Sequence, residues 1–159
     1  KVYGGFNTSL SWKGFDLSAI FAYSIGGYIY NRDITMILHN GSLEGRDWST
    51  EILRRWTPEN RYTDVPALST TSNNWNSAST RFLQNNSYMR LKNLTLSYNL
   101  PKQLISKLAL SSVQVFVQGD NLFTIHRNQG LDPEQGITGI TYYRYPAMRT
   151  ISGGINLSF

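Results

Sequence analysis

The chain has 159 residues, a formal net charge of +5, no cysteine, 16% charged residues and 13% aromatic residues. This length suits one domain with a core, and the lack of cysteine excludes disulfides and thiolate metal sites. A helical membrane protein is excluded because no stretch approaches roughly 18 consecutive apolar residues, and the scattered Lys and Arg residues form no basic stripe for nucleic acid.

Two strands joined by a tight turn are predicted at the start of the chain. Apolar and polar residues alternate over residues 6–12 and again over residues 15–25, which is the period of a half-buried strand. Between them, Lys13-Gly14 supplies a two-residue turn, because glycine tolerates positive φ. Only Ile20 breaks the alternation. The pattern predicts a hairpin with one apolar face and one polar face.

Residues 26–87 show no comparable alternation and are predicted to form a long connection. It contains two short helical patterns, near residues 32–38 and 48–56, and the second has Asp47 or Ser49 as its N-cap. Compact domains rarely carry irregular connections longer than about 12–15 residues. Outer-membrane barrels carry such loops on their extracellular side.

Three further strands are predicted, over residues 88–100, 113–123 and 149–159. The alternation changes phase within the first of them, which a β-bulge near Lys92-Asn93 would explain. One short helix is expected over residues 102–110 and a loop over residues 127–146. Short and long connections therefore alternate, as in a membrane barrel. We find no linker and predict no internal domain boundary.

In the final strand, apolar and polar residues alternate up to Phe159. This terminal aromatic residue belongs to the apolar face, so it must be shielded from water. About 11 residues is the length that a tilted strand needs to cross a bilayer. We therefore expect lipid to cover one face of the five strands, with Phe21, Leu96, Val115 and Leu157 as lipid-facing residues. Five strands leave two open edges, which cost several kcal/mol per unpaired backbone group in hydrocarbon. The sequence thus predicts the C-terminal piece of a larger barrel.

Several motifs carry a family resemblance. YMRLKNLTLSYNLP, at residues 88–101, resembles the YLRLKNLTLGYNLP segment of SusC/RagA-type TonB-dependent outer-membrane transporters. QGDNLFT at 118–124 is similar to the family's GQNLFT strand end, and GLDPE at 130–134 to its following loop. Tyr145-Pro146 with Arg149-Thr150 resembles its YP..RT, and the opening hairpin also fits. Asp120 stands where the family more often has Gln.

The resemblance implies a transmembrane barrel of about 22 strands in the bacterial outer membrane. Residues 1–159 would supply its last five strands, with short helices in a long extracellular loop. It also implies a plug, absent from this chain, that contacts TonB, and a SusD-like surface lipoprotein as partner. The expected activity is import of oligosaccharides or peptides.

No enzyme, cofactor or metal site is expected. His39 and His126 are the only histidines, are expected in different loops and lack a serine or carboxylate at triad spacing. The loop carboxylates lack the spacing of a calcium loop. Gly26-Gly27 and Gly153-Gly154 lie in strand contexts without a phosphate fingerprint, so we expect an aromatic neighbour or the plug to approach them closely.

Aromatic residues of the long loops are the candidate contacts to a substrate or partner, because flat rings with a polar edge pack against sugars or proteins. These candidates are Trp48, Trp56, Trp75, Tyr142, Tyr143 and Tyr145. They could instead form an interfacial girdle or pack the loops. The terminal pattern of Ile155, Leu157 and Phe159 resembles the signal read by the barrel-assembly machinery.

Two other classes of protein are alternative interpretations of the same sequence. A soluble or surface-attached β-sandwich module that binds carbohydrate would bury the apolar faces against a second sheet. A passive porin or adhesin barrel would have the same wall but no energy coupling.

Overall fold

The computed structural model of the chain describes residues 1–41, 43, 45–69, 71, 77–106, 110–128, 130, 132–134 and 138–159. Its strands are β1 (Val2–Trp12), β2 (Phe15–Ile25), β3 (Tyr28–Asn31), β4 (Leu83–Asn85), β5 (Tyr88–Asn99), β6 (Ser112–His126), β7 (Ile140–Thr141) and β8 (Thr150–Ser158). The α-helices are α1 (Arg32–Ile37) and α2 (Lys102–Ile105), and 3₁₀ helices occupy Thr50–Arg54 and Thr80–Phe82. Within these described residues, no helix has the length and apolar character needed to span a membrane.

The chain divides into two compact units. The sheet unit consists of Lys1–Gly27, Asn86–Pro133 and Tyr145–Phe159. The loop unit consists of Tyr28–Asn85 and Glu134–Arg144. The loop unit is therefore built from parts of the two long connections between the sheet strands.

The sheet unit contains one five-stranded sheet in the order β1-β2-β5-β6-β8, with every neighbouring pair antiparallel. All five strands predicted from the alternation are present. The predicted turn is confirmed as well, since Lys13 and Gly14 have φ angles of 47° and 89°, as a type I′ hairpin requires. β6 extends three residues beyond the predicted end at Phe123, to His126. Helix α2 ends at Ile105, and residues 107–109 of the predicted helix lie outside the described residues.

A β-bulge interrupts the pairing of β5. Its register against β2 shifts at Lys92, which is left out of the ladder, and its register against β6 shifts at the same level, where Asn121 has a φ of 52°. This confirms the bulge predicted near Lys92-Asn93. Because one residue is inserted, apolar residues before and after it, such as Met89 and Leu96, lie on one face.

The sheet has one apolar face that remains open. The register places Phe21, Leu96, Val115 and Leu157 on this face. Leu96, Val115 and Leu157 are 42%, 44% and 52% exposed, and Phe21 is half-buried. Aromatic rings on this face pack against each other, as do those of Phe6 and Phe21, whose centroids lie 4.7 Å apart. The face is thus a surface of neighbouring exposed apolar side chains, a feature that marks a contact with a membrane or another protein.

The loop unit holds the larger part of the buried apolar core. Ile29, Leu38, Ile52, Val65 and Phe82 are each no more than 8% exposed. β3 pairs antiparallel with β4 and parallel with β7. The long connections were expected to lack strands, and this expectation is wrong. The sequence did not reveal these strands because strands of two to four residues are too short to show a period of two.

The helical patterns predicted in the loop unit are confirmed. α1 is capped by Asn31, whose side chain accepts a hydrogen bond from the Ile34 N–H at 3.1 Å. Of the two N-caps considered for the second pattern, the structure selects Ser49, whose hydroxyl accepts from the Glu51 N–H at 3.3 Å. This second element is a 3₁₀ helix.

Candidate functional site

The face opposite the apolar one is lined by hydrogen-bonded polar side chains. Asn93 Nδ2 donates to Asp120 Oδ1 at 2.8 Å between β5 and β6. Asn156 Nδ2 donates to Gln114 Oε1 at 3.1 Å between β8 and β6. Asn99 Nδ2 donates to an oxygen of Asp16 at 2.7 Å between β5 and β2. The same strands therefore carry an apolar surface on one side and a satisfied polar surface on the other.

An ion pair lies buried on this polar face. Arg90 and Asp132 are 4% and 7% exposed, and Arg90 Nη2 donates to Asp132 Oδ1 at 2.6 Å. Arg90 Nε donates to Thr124 Oγ1 at 2.9 Å, and Asp132 Oδ2 accepts from the Ala147 N–H at 2.7 Å. The pair thus joins β5, β6 and the segment that precedes β8. Sequence reasoning missed this role. The sequence did hold one indication of the pair, namely an arginine on the polar side of β5 and a single aspartate in the loop that follows β6.

An aromatic ring of β6 also lies on the polar face. Phe116 packs over Gly154, where a Cβ atom would come within 2.8 Å of the ring. This confirms the expected aromatic neighbour at Gly154. At Gly153 the near atom is the Phe116 carbonyl oxygen, at 3.3 Å. Gly26 and Gly27 have φ angles of 79° and 90°, so their conformation itself favours glycine.

The described candidate loop aromatics are divided between the two units. Trp48, Trp56, Tyr142 and Tyr143 belong to the loop unit and Tyr145 to the sheet unit, whereas Trp75 lies outside the described residues. All five described rings are exposed, from 39% for Trp48 to 97% for Tyr145. Each therefore has surface left for a contact.

Two of these aromatics are held as a pair. The rings of Tyr142 and Tyr143 lie 4.3 Å apart, and the Arg32 guanidinium lies 4.6 Å from the centre of the Tyr142 ring. Asp33 Oδ1 accepts from the Tyr143 N–H at 3.0 Å. Tyr143 has a φ of 47°, a conformation that a bulky residue adopts only when its surroundings impose it. The pair is thus presented in a fixed geometry.

The two histidines occupy different environments. His39 is fully buried in the loop unit, with its ring 4.7 Å from that of Trp48. His126 is the last residue of β6, so its expected place in a loop is wrong. Its Nδ1 lies 2.9 Å from the Asn128 carbonyl oxygen. Among the described residues, no group of three or more His, Asp or Glu is arranged to hold a metal ion.

Comparisons with known proteins agree on one family. No family model matches the chain. The chain is 34% identical over 166 residues to TonB-dependent receptor P3 of Formosa agariphila and 30% identical over 165 residues to TonB-dependent receptor P26 of the same organism. The structure of the RagAB peptide importer in the closed-closed state superposes with a TM-score of 0.85 at 35% identity. The open-open state superposes with a TM-score of 0.78.

The chain is similar to one segment of the TonB-dependent receptors.

The matches cover 98% of the chain but 16% of each curated receptor, and 99% of the chain but 17% of the RagAB chain. The five-stranded sheet therefore matches a segment of the outer-membrane β-barrel of these relatives. The fold class and the location in the outer membrane predicted from the sequence are confirmed, as is the resemblance to SusC/RagA-type proteins.

Proposed function

We propose that the chain is the C-terminal barrel part of an energy-coupled importer of oligosaccharides or peptides. In this proposal, residues 1–159 supply five neighbouring strands of the wall, two external loops and the strand that closes the barrel. Further strands of the same protein pair with β1 and β8, and a plug fills the lumen. The observation that carries the proposal is the sheet with one exposed apolar face and one hydrogen-bonded polar face.

The difference in polarity between the two faces supports this role, because each face suits a different environment. An apolar surface as continuous as that around Leu96 and Val115 would be unfavourable in water. In a bilayer it faces lipid, while side chains such as Asn93 and Gln114 line a watery lumen. Trp48, Trp56, Trp75, Tyr142, Tyr143 and Tyr145 stay candidate contacts to the substrate or the lid.

The partners follow from the same proposal. A SusD-like surface lipoprotein would cover the external loops, and TonB would act through the plug. The barrel-assembly machinery would read the pattern of Ile155, Leu157 and Phe159. Support comes from the similarity to RagAB, which is named a peptide importer, and from the receptors P3 and P26, which are named TonB-dependent.

No bond chemistry is assigned to the chain. The buried charged side chains of the polar face, Arg90 and Asp132, are bonded to each other, and the relatives are named receptors and importers. We propose that binding by the loops and displacement of the plug, driven from the inner membrane, move the substrate. Catalysis is not part of this mechanism.

Uptake by cells that express the full-length protein tests the proposal. Accumulation of labelled oligosaccharides or oligopeptides is expected to require the protein and to stop when TonB is deleted or the proton-motive force is collapsed. Uptake that continues without TonB would instead support a passive porin. Recovery of the full-length protein in the soluble fraction without detergent would reject the membrane assignment.

A further inference from the structure

A groove of about 420 Å³ opens on the apolar face of the sheet unit. Side chains of three neighbouring strands contribute to its lining, namely Phe15 of β2, Leu96 and Tyr98 of β5, and Val115 and Val117 of β6. The register aligns Phe15, Tyr98 and Val115 in one row and places Leu96 and Val117 in the next row, farther from the Lys13-Gly14 turn. The groove therefore starts beside this turn and continues toward the middle of the sheet.

The end of the groove that lies nearest the turn has a fixed shape. The rings of Phe15 and Tyr98 pack with 4.4 Å between their centroids. Gly14 has a φ of 89°, and a Cβ added there would lie 3.3 Å from the Tyr98 ring. The Asn99 N–H donates to the Gly14 carbonyl oxygen at 2.8 Å. The turn and the aromatic pair thus hold each other in place.

The positive charge of Lys13 lies on the apolar side of the same turn. Trp12 pairs with Phe15, and directly paired residues share a face of the sheet. The Lys13 ammonium lies 4.9 Å from the centre of the Trp12 ring, a distance at which a cation is attracted to the ring. Asp16, which follows the turn, lies on the polar face, where Asn99 donates to its carboxylate at 2.7 Å. A cation is thus presented beside the end of the apolar groove.

This combination matches an amphiphile with an anionic head. An acyl chain gains free energy with each CH₂ group that it buries, and a lysine near the membrane surface attracts anionic lipids. A protein occupant is disfavoured, because lysine is depleted in the cores of protein interfaces. The short turns of a barrel lie on the periplasmic side, and the turn between β1 and β2 has two residues. This end of the groove therefore meets the periplasmic leaflet.

We propose that the groove binds one acyl chain of an anionic phospholipid of the periplasmic leaflet, with the lipid phosphate against Lys13. The inference rests on the proposed function, because the groove meets lipid only if the sheet is part of a barrel wall. It goes beyond a general contact with the bilayer, since it names a lipid class and the residue that selects it.

The experiment is native mass spectrometry of the detergent-purified full-length protein, which resolves the binding of single lipids. The two lipids are dioleoyl phosphatidylglycerol and dioleoyl phosphatidylcholine, which have the same acyl chains and differ in net charge. The wild type is expected to bind phosphatidylglycerol about fivefold more tightly, the factor that corresponds to about 1 kcal/mol for one lysine at a membrane surface. Lys13→Gln should remove this preference by weakening phosphatidylglycerol alone. Lys13→Arg should keep it, because the charge remains.

A second variant tests the groove itself. Val115→Trp places a large ring in the groove from a position that is 44% exposed, so it should weaken the binding of both lipids. Ile151→Trp is the matched control, because Ile151 lies on the same apolar face, is 72% exposed and pairs with Gly119, away from the groove. It should bind both lipids as the wild type does.

Lys1→Gln is the control for charge, since Lys1 immediately precedes β1 at the opposite end of the sheet, and it should keep the preference. Heat-modifiable electrophoretic mobility shows whether each variant is a folded barrel. Equal affinities of the wild type for the two lipids, a preference that survives Lys13→Gln, or binding that Val115→Trp does not weaken would overturn the inference. TonB-dependent uptake is measured separately, so the import function can hold while the lipid site fails.

Discussion

Arg90 and Asp132 form a buried ion pair across 42 positions of sequence, with 2.6 Å between the bonded nitrogen and oxygen. Each has a second partner, Thr124 for the arginine and the Ala147 N–H for the aspartate. The pair thereby fixes the segment that precedes β8 to the wall formed by β5 and β6. The ion pair lies on the polar face, which is the face that we assign to the lumen of the barrel.

Loss of the arginine should destabilise the protein strongly. Arg90→Met leaves the Asp132 carboxylate buried without its counter-charge, a change that costs about 3–5 kcal/mol. Urea titration of the full-length protein in lipid vesicles measures this loss. The matched control is Glu51→Gln at the exposed Arg54–Glu51 pair, whose side chains are 61% and 47% exposed. There the change should stay below about 1 kcal/mol. Equal effects of the two substitutions would show that Arg90 and Asp132 contribute no more than a surface pair.

Gly154 and Phe116 should behave as a coupled pair. Gly154→Val places a branched side chain where even a Cβ would lie 2.8 Å from the ring, and overpacking of this kind costs about 1–3 kcal/mol. Phe116→Ala in the same protein removes the ring, so the double variant should recover most of the loss. The same urea titration measures all three variants, with Ser152→Ala on the same face of β8 as control. Additive losses would mean that the ring and the glycine do not interact.

The sheet strands could be predicted because each shows the period of two over a long stretch. β6, for example, has 15 residues, and Val113, Val115 and Val117 alternate with Gln114, Phe116 and Gln118. The bulge at Lys92 could be located for the same reason, since a one-residue insertion reverses the phase of the pattern.

The loop unit could not be predicted in the same way. β3 and β7 pair in parallel although they lie far apart in the sequence, and β7 has two residues. Such short strands are stabilised by tertiary contacts and not by their own pattern. The Arg90–Asp132 pair was missed for a related reason, because it depends on which distant segment returns to the same place.

Arginine substitutions on the two faces of the sheet should have opposite outcomes. Leu96→Arg puts a charge on the apolar face, which costs about 2–4 kcal/mol near the middle of a bilayer. Ser18→Arg is the matched control, because Ser18 pairs with Thr95 and lies at the same level on the polar face. Leu96→Arg should reduce the amount of heat-modifiable protein in the outer membrane, and Ser18→Arg should not. The reverse order would place lipid on the other side of the sheet.

Phe159 tests the assembly signal. The residue is 90% exposed at the end of the chain, so its removal should leave the fold of the barrel unchanged. If the barrel-assembly machinery reads it, Phe159→Ala should lower the folded yield in cells several-fold while refolding into detergent micelles is unaffected. Ile151→Ala, on the apolar face at the other end of β8, is the control and should be neutral in both assays. Equal losses in cells and in micelles would assign Phe159 a packing role only.

Among the described loop aromatics, Tyr142 and Tyr143 are held against each other and by Arg32 and Asp33, which makes them candidates for contact with the proposed lipoprotein lid. Rigid exposed Tyr residues beside an Arg are typical of interface hot spots. Tyr142→Ala combined with Tyr143→Ala should weaken co-purification of the SusD-like lipoprotein about tenfold. Asp33→Ala, which removes the acceptor of the Tyr143 N–H at 3.0 Å, should give a smaller loss because both rings remain. Tyr62→Ala, at a fully exposed tyrosine of the loop unit, should change nothing. If the double variant retains the lipoprotein as well as Tyr62→Ala does, the pair lies outside the lid interface, and its strained geometry needs another explanation.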